Sequence, residues 1–450
     1  MSPITRALVR LSLPVIGLNV LNVLALAVDT AMCGRLEDAE TALTALGYAT
    51  QVVFLLMVAM LGLTVGTVAL VSRAHGGGEV DRVQHIMLQS TQLTLVVAVC
   101  VAIFGNLGAE SLLSLLGASD PVAKSGASYL LPVLGATPFS YLFLLYAAIL
   151  RSLGNTLLAF LVALVLNVVN FGLNYGLILG NYGLPGLGVQ GAGIGTGIAY
   201  VVGLLLLVAL VKGGAVKGID FPLRPGPLDR GLVGELIRVG APAALDLVIL
   251  NVSFLALITM VGWIEQVAVA AHGIGLRVQG LAFVPGMAVS QVATAMVGNF
   301  LGKGEAENAR KTIWATLRVC LVLMSSLAIV LVVFVYPITH IFDVEPGTRL
   351  EELSVMWNQI LGWSMPIFGL HIALVAMMQG AGITRTSLKI NAFTTFLVQI
   401  PLGFVLAFWL DMGVFGVWLS FPLAWVVKVG LAAEIFRRGK WARTGLRATG

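Results

Sequence analysis

The sequence predicts an all-α integral membrane protein with twelve transmembrane helices arranged as two pseudo-symmetric lobes of six. Of its 450 residues, 58% are hydrophobic and 10% are charged, whereas about a quarter of the residues of a soluble domain are charged. The apolar residues also form continuous stretches of roughly 20 residues or more, which is the length that crosses a bilayer as a helix. These stretches lack the alternation of barrel strands, so an outer-membrane barrel is excluded.

The predicted spans begin with a stretch that follows Arg6 and Arg10. This stretch is too long for a signal peptide and lacks a small-residue cleavage site, so we interpret it as a permanent span. The twelve spans are 8–34, 43–71, 87–107, 127–149, 156–179, 192–211, 239–261, 268–301, 316–336, 356–378, 388–410 and 414–435.

The two halves of the chain resemble each other. Pro14 superposes on Pro242 and Pro138 on Pro366, and several glycines follow in the same order. Six spans per repeat mean that both halves enter the membrane from the same side, as in transporters whose substrate cavity lies between two parallel repeats. We predict a first lobe at 1–211, a cytoplasmic linker at 212–238, and a second lobe with a basic tail at 239–450.

The basic residues predict the orientation of the chain. Lys and Arg concentrate in the segments on one side of the predicted membrane, whereas the loops on the other side hold only Arg35, Lys124 and Arg349. The positive-inside rule then places both termini in the cytoplasm. Because these residues are scattered among short loops and form no continuous basic face, the net charge of +5 does not indicate a nucleic-acid partner.

Motifs of enzymes are missing from the sequence. It has no phosphate-binding Gly-Lys-Ser/Thr loop, no Gly-x-Ser-x-Gly and no His-Glu-x-x-His, which argues against ATP as the energy source and against a hydrolase. The cysteines Cys33, Cys100 and Cys320 lack metal-ligand spacing and are expected to form no disulfide. We therefore expect no enzyme activity, no cofactor and no resident metal.

Asp29 is the foremost candidate functional residue. It lies in the outer part of the first span, on the same helical face as Ser12, Asn19 and Asn22. A carboxylate inside a span costs about 2.5–3.5 kcal/mol unless it is hydrated, paired or protonated, so its presence indicates a function. The alternative is an interfacial Asp close to the helix end.

A row of asparagines on one face of the fifth span, Asn167, Asn170 and Asn174, is the second candidate. Amides supply donors and acceptors, so the row can surround a carboxylate or help to hold a cation. The alternative is helix packing through side-chain amides. The repeat argues for function, because Asp29, Asn170 and Asn174 superpose on apolar residues of the second half. Those residues are Leu257, Val398 and Leu402.

The second half has its own polar residues in its spans. Asp246 and His371 superpose on Leu18 and Phe143, so they are also additions to the repeat. Two hypotheses remain open: the two residues pair across spans seven and ten, or Asp246 faces the cytoplasmic vestibule. Further candidates for a cavity are Arg277, Gln279, Gln291 and Lys428, of which the basic residues also have the alternative of extending toward the membrane surface.

Several motifs in this order resemble the multidrug and toxic compound extrusion (MATE) transporters. They are Pro14 with Asp29-Thr-Ala-Met-Cys-Gly-Arg35-Leu, Ala-His75-Gly-Gly-Gly, Arg151-Ser-Leu-Gly-Asn-Thr, Ala270-Ala-His272, Val297-Gly-Asn-Phe-Leu-Gly302 and Gln379-Gly-Ala-Gly-Ile-Thr-Arg385-Thr. The similarity extends over nearly the whole chain.

The resemblance implies a coupling site in the first lobe made of Asp29, Asn170, Asn174 and Thr196. Some relatives have an aspartate at the position of Asn174, so Asp29 is the only acid of this set here. Sodium-coupled relatives carry acids in the second lobe near Leu250 and Ile367, where this chain is apolar. The expected coupling ion is therefore H⁺ rather than Na⁺, although Na⁺ at Asp29 remains an alternative.

The resemblance also implies the function: a monomeric antiporter of the bacterial inner membrane that exports hydrophobic, often cationic organic compounds, with lipid and the small organic substrate as its partners. One alternative is a flippase for a lipid-linked saccharide or its precursor, which would favour a strongly cationic cavity. A second alternative is a membrane protein without transport activity.

Overall fold

The computed structural model describes residues 1–216, 218–222 and 224–442, and every regular element in these ranges is a helix. Lys217 and the basic tail residues Arg443 and Arg447 lie outside the described residues.

The helices of the first half are long and follow one another through short connections. They are α1 (Pro3–Cys33), α2 (Ala39–Gly76), α3 (Val80–Leu115), α4 (Asp120–Gly135), α5 (Thr137–Ser152), α6 (Thr156–Leu179) and α7 (Val189–Leu210), the last extended by a π-helical turn at Val211–Ala215.

The helices of the second half follow a connecting segment. They are α8 (Arg230–Ile264), α9 (Gln266–Ala282), α10 (Val284–Gly302), α11 (Ala306–Val333), α12 (Val335–His340), α13 (Arg349–Gly380), α14 (Thr384–Phe393), α15 (Ile400–Phe404) and α16 (Gly413–Arg438). The π-helical turn Thr394–Gln399 joins α14 to α15, and a second one, Val405–Trp409, continues α15, so that Thr384–Trp409 forms one span. A short 3₁₀ turn, Lys440–Ala442, follows α16.

The helices confirm the predicted membrane architecture. Within the described residues, 11 helices are long and apolar enough to cross a membrane, and the bent pair α4 and α5 supplies a twelfth span. The angle between these two helices is 57°. Pro138 lies in the first turn of α5, where its missing N–H and its ring are tolerated, although they would disrupt the middle of a helix.

The predicted span 268–301 is also interrupted, because α9 ends at Ala282 and α10 begins at Val284. Pro285 in the first turn of α10 explains this break in the same way. A hydropathy pattern registers the length of such a segment but not the break in the helix next to its proline.

The chain forms two compact units that do not coincide with the predicted lobes. The first unit is Gly17–Ala241, and the second combines Met1–Ile16 with the residues from Pro242 onward. The divisions fall inside α1 and α8, close to the repeated prolines Pro14 and Pro242. The division differs from the predicted one in that residues 1–16 belong to the second unit and the linker belongs to the first.

The first part of α8 belongs to the first unit because small residues allow it to lie against α2. A Cβ atom on Gly66 would come within 2.7 Å of the carbonyl oxygen of Leu236, and one on Gly240 within 2.8 Å of the carbonyl oxygen of Gly62. Glycines at such contacts let the backbones of membrane helices approach closely.

The first part of α1 belongs to the second unit for a related reason. Leu8 and Val15 are fully buried in a core cluster that also contains Leu257, Val261 and Trp418. Inside a membrane, such packing of matched side chains holds helices together, because lipid tails are as apolar as the residues themselves.

The connecting segment before α8 is held to the first unit by polar side chains of α3. Gln92 Nε2 donates to the carbonyl oxygen of Gly226 over 2.7 Å, and Gln89 Nε2 to that of Pro227 over 2.8 Å. The ring of Phe221 stacks on Tyr146 with 3.9 Å between centroids. These contacts explain why the segment belongs to the compact unit of residues 17–241.

Candidate functional site

Asp29 and Asn174 are in direct contact inside the first unit. Asp29 lies near the end of α1 and is only 8% exposed, and Asn174 of α6 is fully buried. Nδ2 of Asn174 donates a hydrogen bond of 2.6 Å to Oδ1 of Asp29. Hydrogen bonds to an ionised carboxylate are about twice as strong as neutral ones, so this amide stabilises the charged form of Asp29.

Asn170 and Thr196 form a second pair beside the first. Asn170 lies one helical turn before Asn174 on α6, and its Nδ2 donates to Oγ1 of Thr196 on α7 over 3.2 Å. The structure thus brings together all four residues that the sequence analysis assigned to the first lobe. We call Asp29, Asn170, Asn174 and Thr196 the Asp29 cluster.

A glycine on α7 makes room for this arrangement. A Cβ atom on Gly195 would overlap Oδ1 of Asn174. That oxygen is buried and accepts no hydrogen bond from the described residues. The Asp29 cluster therefore presents one free amide acceptor next to a carboxylate.

The predicted polar rows are only partly used by the cluster. Asn167 donates to the carbonyl oxygen of Ala163 in its own helix, over 2.8 Å. Ser12 similarly donates to the carbonyl oxygen of Leu8 over 2.8 Å. Both side chains donate their hydrogen bonds to the backbone of their own helix. Periodic spacing alone therefore overestimated the number of residues in the site.

The surroundings of Asp29 are uncharged. Its carboxylate acts electrostatically on Cys33, Tyr129 and Tyr200, and none of the ion pairs among the described residues includes it. The two tyrosines come from α4 and α7. Sequence reasoning missed them, because an isolated tyrosine in an apolar span carries no signal that separates a site residue from packing.

Asp246 is the centre of a different polar group in the second unit. Its Oδ2 accepts a hydrogen bond of 2.7 Å from Oγ of Ser387, and Asn391 is a further hydrogen-bond partner. Both partners lie on α14. Sequence reasoning named Asp246 but not these partners, which lie one turn apart on the short helix α14.

Two further ionisable residues of the second unit are buried. Lys428 of α16 is 3% exposed, and His371 of α13 is 9% exposed. We call Asp246, Ser387 and Asn391, which are joined by hydrogen bonds, the Asp246 cluster.

The hypothesis of a direct pair between Asp246 and His371 finds no support in the structure. No ion pair or hydrogen bond joins these two side chains within the part of the chain that the structure describes. Gln279 of α9 is buried with 6% exposure, and its Oε1 has no hydrogen-bond partner among the described residues. No contact given by the structure places Gln279 in the Asp246 cluster.

Neither cluster resembles a transition-metal site. Within the described ranges, no group of three or more His, Cys, Asp or Glu side chains is arranged to hold a metal ion. The Asp29 cluster instead offers carboxylate, amide and hydroxyl oxygens, which suit a proton or a hard cation such as Na⁺. Twelve spans in a duplicated plan are found in many membrane transporters, and ionisable residues inside spans mark ion and substrate pathways.

The family follows from comparison with known proteins. The family model described as MatE matches the chain twice, at residues 14–176 and 242–405, so the chain belongs to the MatE family. Each match begins at one of the repeated prolines, which confirms the internal repeat.

Curated relatives cover nearly the same length. The chain is 26% identical to the "Probable multidrug resistance protein NorM" of Thermotoga maritima, over 98% of this chain and 94% of that protein. It is also 26% identical to the "FAD transporter" of Shewanella oneidensis, over 94% of this chain and 92% of that protein.

Solved structures share the fold. The structure titled "Crystal structure of MATE in the bent conformation" superposes with a TM-score of 0.89 at 20% identity, covering 98% of this chain and 97% of the other. An "outward-facing conformation of a multidrug resistance MATE family transporter of the MOP superfamily" gives a TM-score of 0.90 at 20% identity, with the same coverage. The protein is thus a multi-pass membrane transporter of the MATE type.

Proposed function

We propose that this protein is a cation-coupled antiporter that exports hydrophobic organic compounds, many of them cationic, and that Asp29 binds the coupling ion. The observation that carries this proposal is a buried carboxylate, 8% exposed, whose surroundings are uncharged. An ionised carboxylate without a counter-charge is expensive inside a membrane. Binding of a cation removes that cost, so occupancy of Asp29 and the conformation of its lobe are linked.

The substrate class rests on the relatives. Those with the "multidrug resistance" description cover nearly the whole chain, and the duplicated plan supports alternating access through rocking of two halves. We propose the same for this chain: inward movement of the ion down its gradient drives export of the organic compound. Both termini are then cytoplasmic in the inner membrane, and the working form is a monomer without cofactor.

A proton fits the Asp29 cluster better than sodium. One proton neutralises one carboxylate and needs no further ligand, whereas a hard metal cation needs several oxygen ligands. The cluster has a single acid, and the donor end of Asn174 already points at it. The free Oδ1 of Asn174 and the hydroxyl of Thr196 are the ligands that would favour Na⁺ instead.

Transport in proteoliposomes under separately imposed gradients tests the proposal. A pH gradient in the absence of sodium should drive accumulation of a fluorescent organic cation, and a sodium gradient at equal pH should not. Strict dependence on the sodium gradient would keep the antiporter and refute proton coupling. Movement of a lipid-linked saccharide that needs neither gradient would instead support a flippase.

A further inference from the structure

A cavity of about 800 Å³ lies between the first turns of α3 and the segment that follows α7. Four charged side chains line it: Asp81 of α3, Lys212 of the π-helical turn, and Asp220 and Arg224 of the connecting segment. Its volume lies within the range of about 300–1,000 Å³ that is typical of sites for small ligands. All four residues are exposed, and none of them has a role in the function proposed above.

The wall formed by the connecting segment is held in place by its neighbours. Phe221 is buried and stacks on Tyr146, with 3.9 Å between ring centroids and 4° between ring planes. The amide of Gln84 on α3 faces both backbone groups of Asp220, with 2.9 Å to the carbonyl oxygen and 2.9 Å to the nitrogen. The cavity is therefore a feature of the packed structure.

The charges in the cavity are balanced but not paired. Asp81 and Asp220 contribute two negative charges, and Lys212 and Arg224 contribute two positive ones. None of the ion pairs among the residues that the structure describes includes any of these four side chains. His85 also lines the cavity, but its ring already binds a carboxylate of the connecting segment over 3.1 Å. The cavity thus offers two acids and two bases to one ligand.

The position of the cavity identifies the kind of ligand. α7 and its π-helical turn form the span Val189–Ala215, and Lys212 follows the apolar part of that span directly. The ends of spans lie at the level of the lipid headgroups, and charged pockets at this depth bind headgroups. Leu88 and Pro222 add apolar surface to the cavity, which suits the part of a lipid where the headgroup joins the acyl chains.

We propose that this cavity binds the headgroup of a zwitterionic phospholipid with a primary ammonium group, such as phosphatidylethanolamine. Lys212 and Arg224 bind the phosphate oxygens, and Asp81 and Asp220 accept hydrogen bonds from the ammonium group. An anionic headgroup matches the two bases but leaves the two acids without a partner. A trimethylammonium headgroup has no N–H to donate. The cavity is separate from the Asp29 cluster, so this binding does not depend on the proposed antiport.

Lipid retention by the purified full-length protein tests the proposal. Protein that has been freed of lipid in detergent is offered equal amounts of phosphatidylethanolamine, phosphatidylcholine and phosphatidylglycerol with the same acyl chains. Native mass spectrometry counts the bound lipid. We expect the ethanolamine lipid to be retained about fivefold more tightly than the other two, a modest preference because exposed ion pairs are individually weak.

Variants of the two acids test the recognition of the ammonium group. Asp81→Asn combined with Asp220→Asn should abolish the preference for the ethanolamine over the choline headgroup. Asp81→Lys combined with Asp220→Lys should transfer the preference to phosphatidylglycerol, because the cavity then holds four bases.

Variants of the two bases test the recognition of the phosphate. Lys212→Gln combined with Arg224→Gln should weaken the retention of all three lipids, since each of them carries a phosphate. Glu307→Gln combined with Lys311→Gln is the control, because these two exposed residues of α11 do not line the cavity. The control should bind lipid as the wild type does.

Equal retention of the three lipids by the wild type, or a preference for phosphatidylglycerol, would overturn the proposal. A preference for the ethanolamine lipid that survives both pairs of aspartate substitutions would place the site elsewhere. Displacement of the lipid by an equal concentration of soluble phosphoethanolamine would also refute it, because the occupant would then be a soluble zwitterion.

Discussion

The two polar clusters place a carboxylate in different surroundings. Asp29 is surrounded by amides, hydroxyls and aromatic rings, with a 2.6 Å hydrogen bond from Asn174. Asp246 accepts a hydrogen bond of 2.7 Å from Ser387, and Asn391 is a further partner. The first carboxylate is buried, whereas the second is half-buried.

This difference shows how two halves of one repeated fold can take different roles, ion exchange in one and a structural or substrate-facing role in the other. A carboxylate without a fixed partner must exchange a cation with the surroundings to be neutral in the membrane, and exchange is what coupling requires. A half-buried carboxylate such as Asp246 can remain ionised through hydration, which suits a structural or substrate-facing role. The predictions below break or sharpen this contrast, beginning with the largest expected effect.

Asp29→Asn should reduce gradient-driven export to the level of protein-free liposomes, because it keeps the shape of the cluster and removes its only ionisable group. Drug efflux from proteoliposomes measures this. Asp38→Asn, the same chemical change at an exposed residue before α2, is the control and should export normally. Near-normal export by a well-folded Asp29→Asn protein would remove Asp29 from the coupling role.

Asn174→Ala should reduce coupled export about tenfold or more. A hydrogen bond to a charged group contributes about 1.5–3 kcal/mol, and the variant removes the one that Asp29 receives from Asn174. Asn167→Ala, two turns earlier on the same helix, loses only a bond to its own backbone and should have little effect. Equal losses in the two variants would mean that the asparagines serve helix packing.

Gly195→Ala should weaken both folding and export, because the new Cβ atom would overlap Oδ1 of Asn174. Overpacking of this kind typically costs about 1–3 kcal/mol. Gly172→Ala on α6 is the matched control, since a Cβ atom there meets nothing within 4 Å. Thermal unfolding in detergent measures the effect on stability, and the efflux assay measures the effect on export. A thermal midpoint and an export rate equal to those of the wild type would contradict the proposed need for glycine.

Asp246→Asn should reduce export only about severalfold and leave its dependence on the ion gradient intact, because Asp246 is half-buried and lies outside the Asp29 cluster. Part of the loss should come from stability, because the amide makes weaker hydrogen bonds with Ser387 and Asn391 than the carboxylate does. The ratio of export with and without the gradient is the measurement. A loss equal to that of Asp29→Asn would transfer the coupling role to the second unit.

The smallest effect should come from Asp229, which lies outside both clusters. Hydrogen bonds from the N–H of Leu232, from His85 and from the N–H of Gly231 hold the pKa of Asp229 below its usual range. A depressed folded-state pKa contributes stability above the ordinary Asp value of about 3.9, and this contribution is lost as the pH falls through the folded value.

Asp229→Ala should therefore lower the thermal midpoint at neutral pH, and the difference from wild type should shrink on acidification. Asp229→Asn retains an acceptor for the N–H groups at the start of α8. Its thermal midpoint should therefore lie between those of the wild type and Asp229→Ala. Thermal unfolding followed across this pH range tests the expectation, and export should be unchanged. A difference that grows as the pH falls would have the wrong sign for a stabilising carboxylate.

Local properties of the sequence were sufficient for several features. The twelve spans followed from the length of continuous apolar stretches, which a membrane selects independently of what each helix touches. The repeat was visible because its prolines remain at the points where α1 and α8 pass between compact units. Asp29, Asn170 and Asn174 were named because polar groups are rare in spans, whereas Thr196 was named from the family resemblance, and the structure brings the four together.

Only the tertiary structure decided which polar groups meet. Asn167 and Asn174 lie on one face of α6, yet one bonds its own backbone and the other bonds Asp29, which is 145 residues away in the chain. Ser387 became the hydrogen-bond partner of Asp246, 141 residues away in the chain, because α14 lies against α8. Periodicity fixes the side of a helix on which a residue lies, but contact depends on the position of the neighbouring helix, because hydrogen bonds act only over about 3 Å.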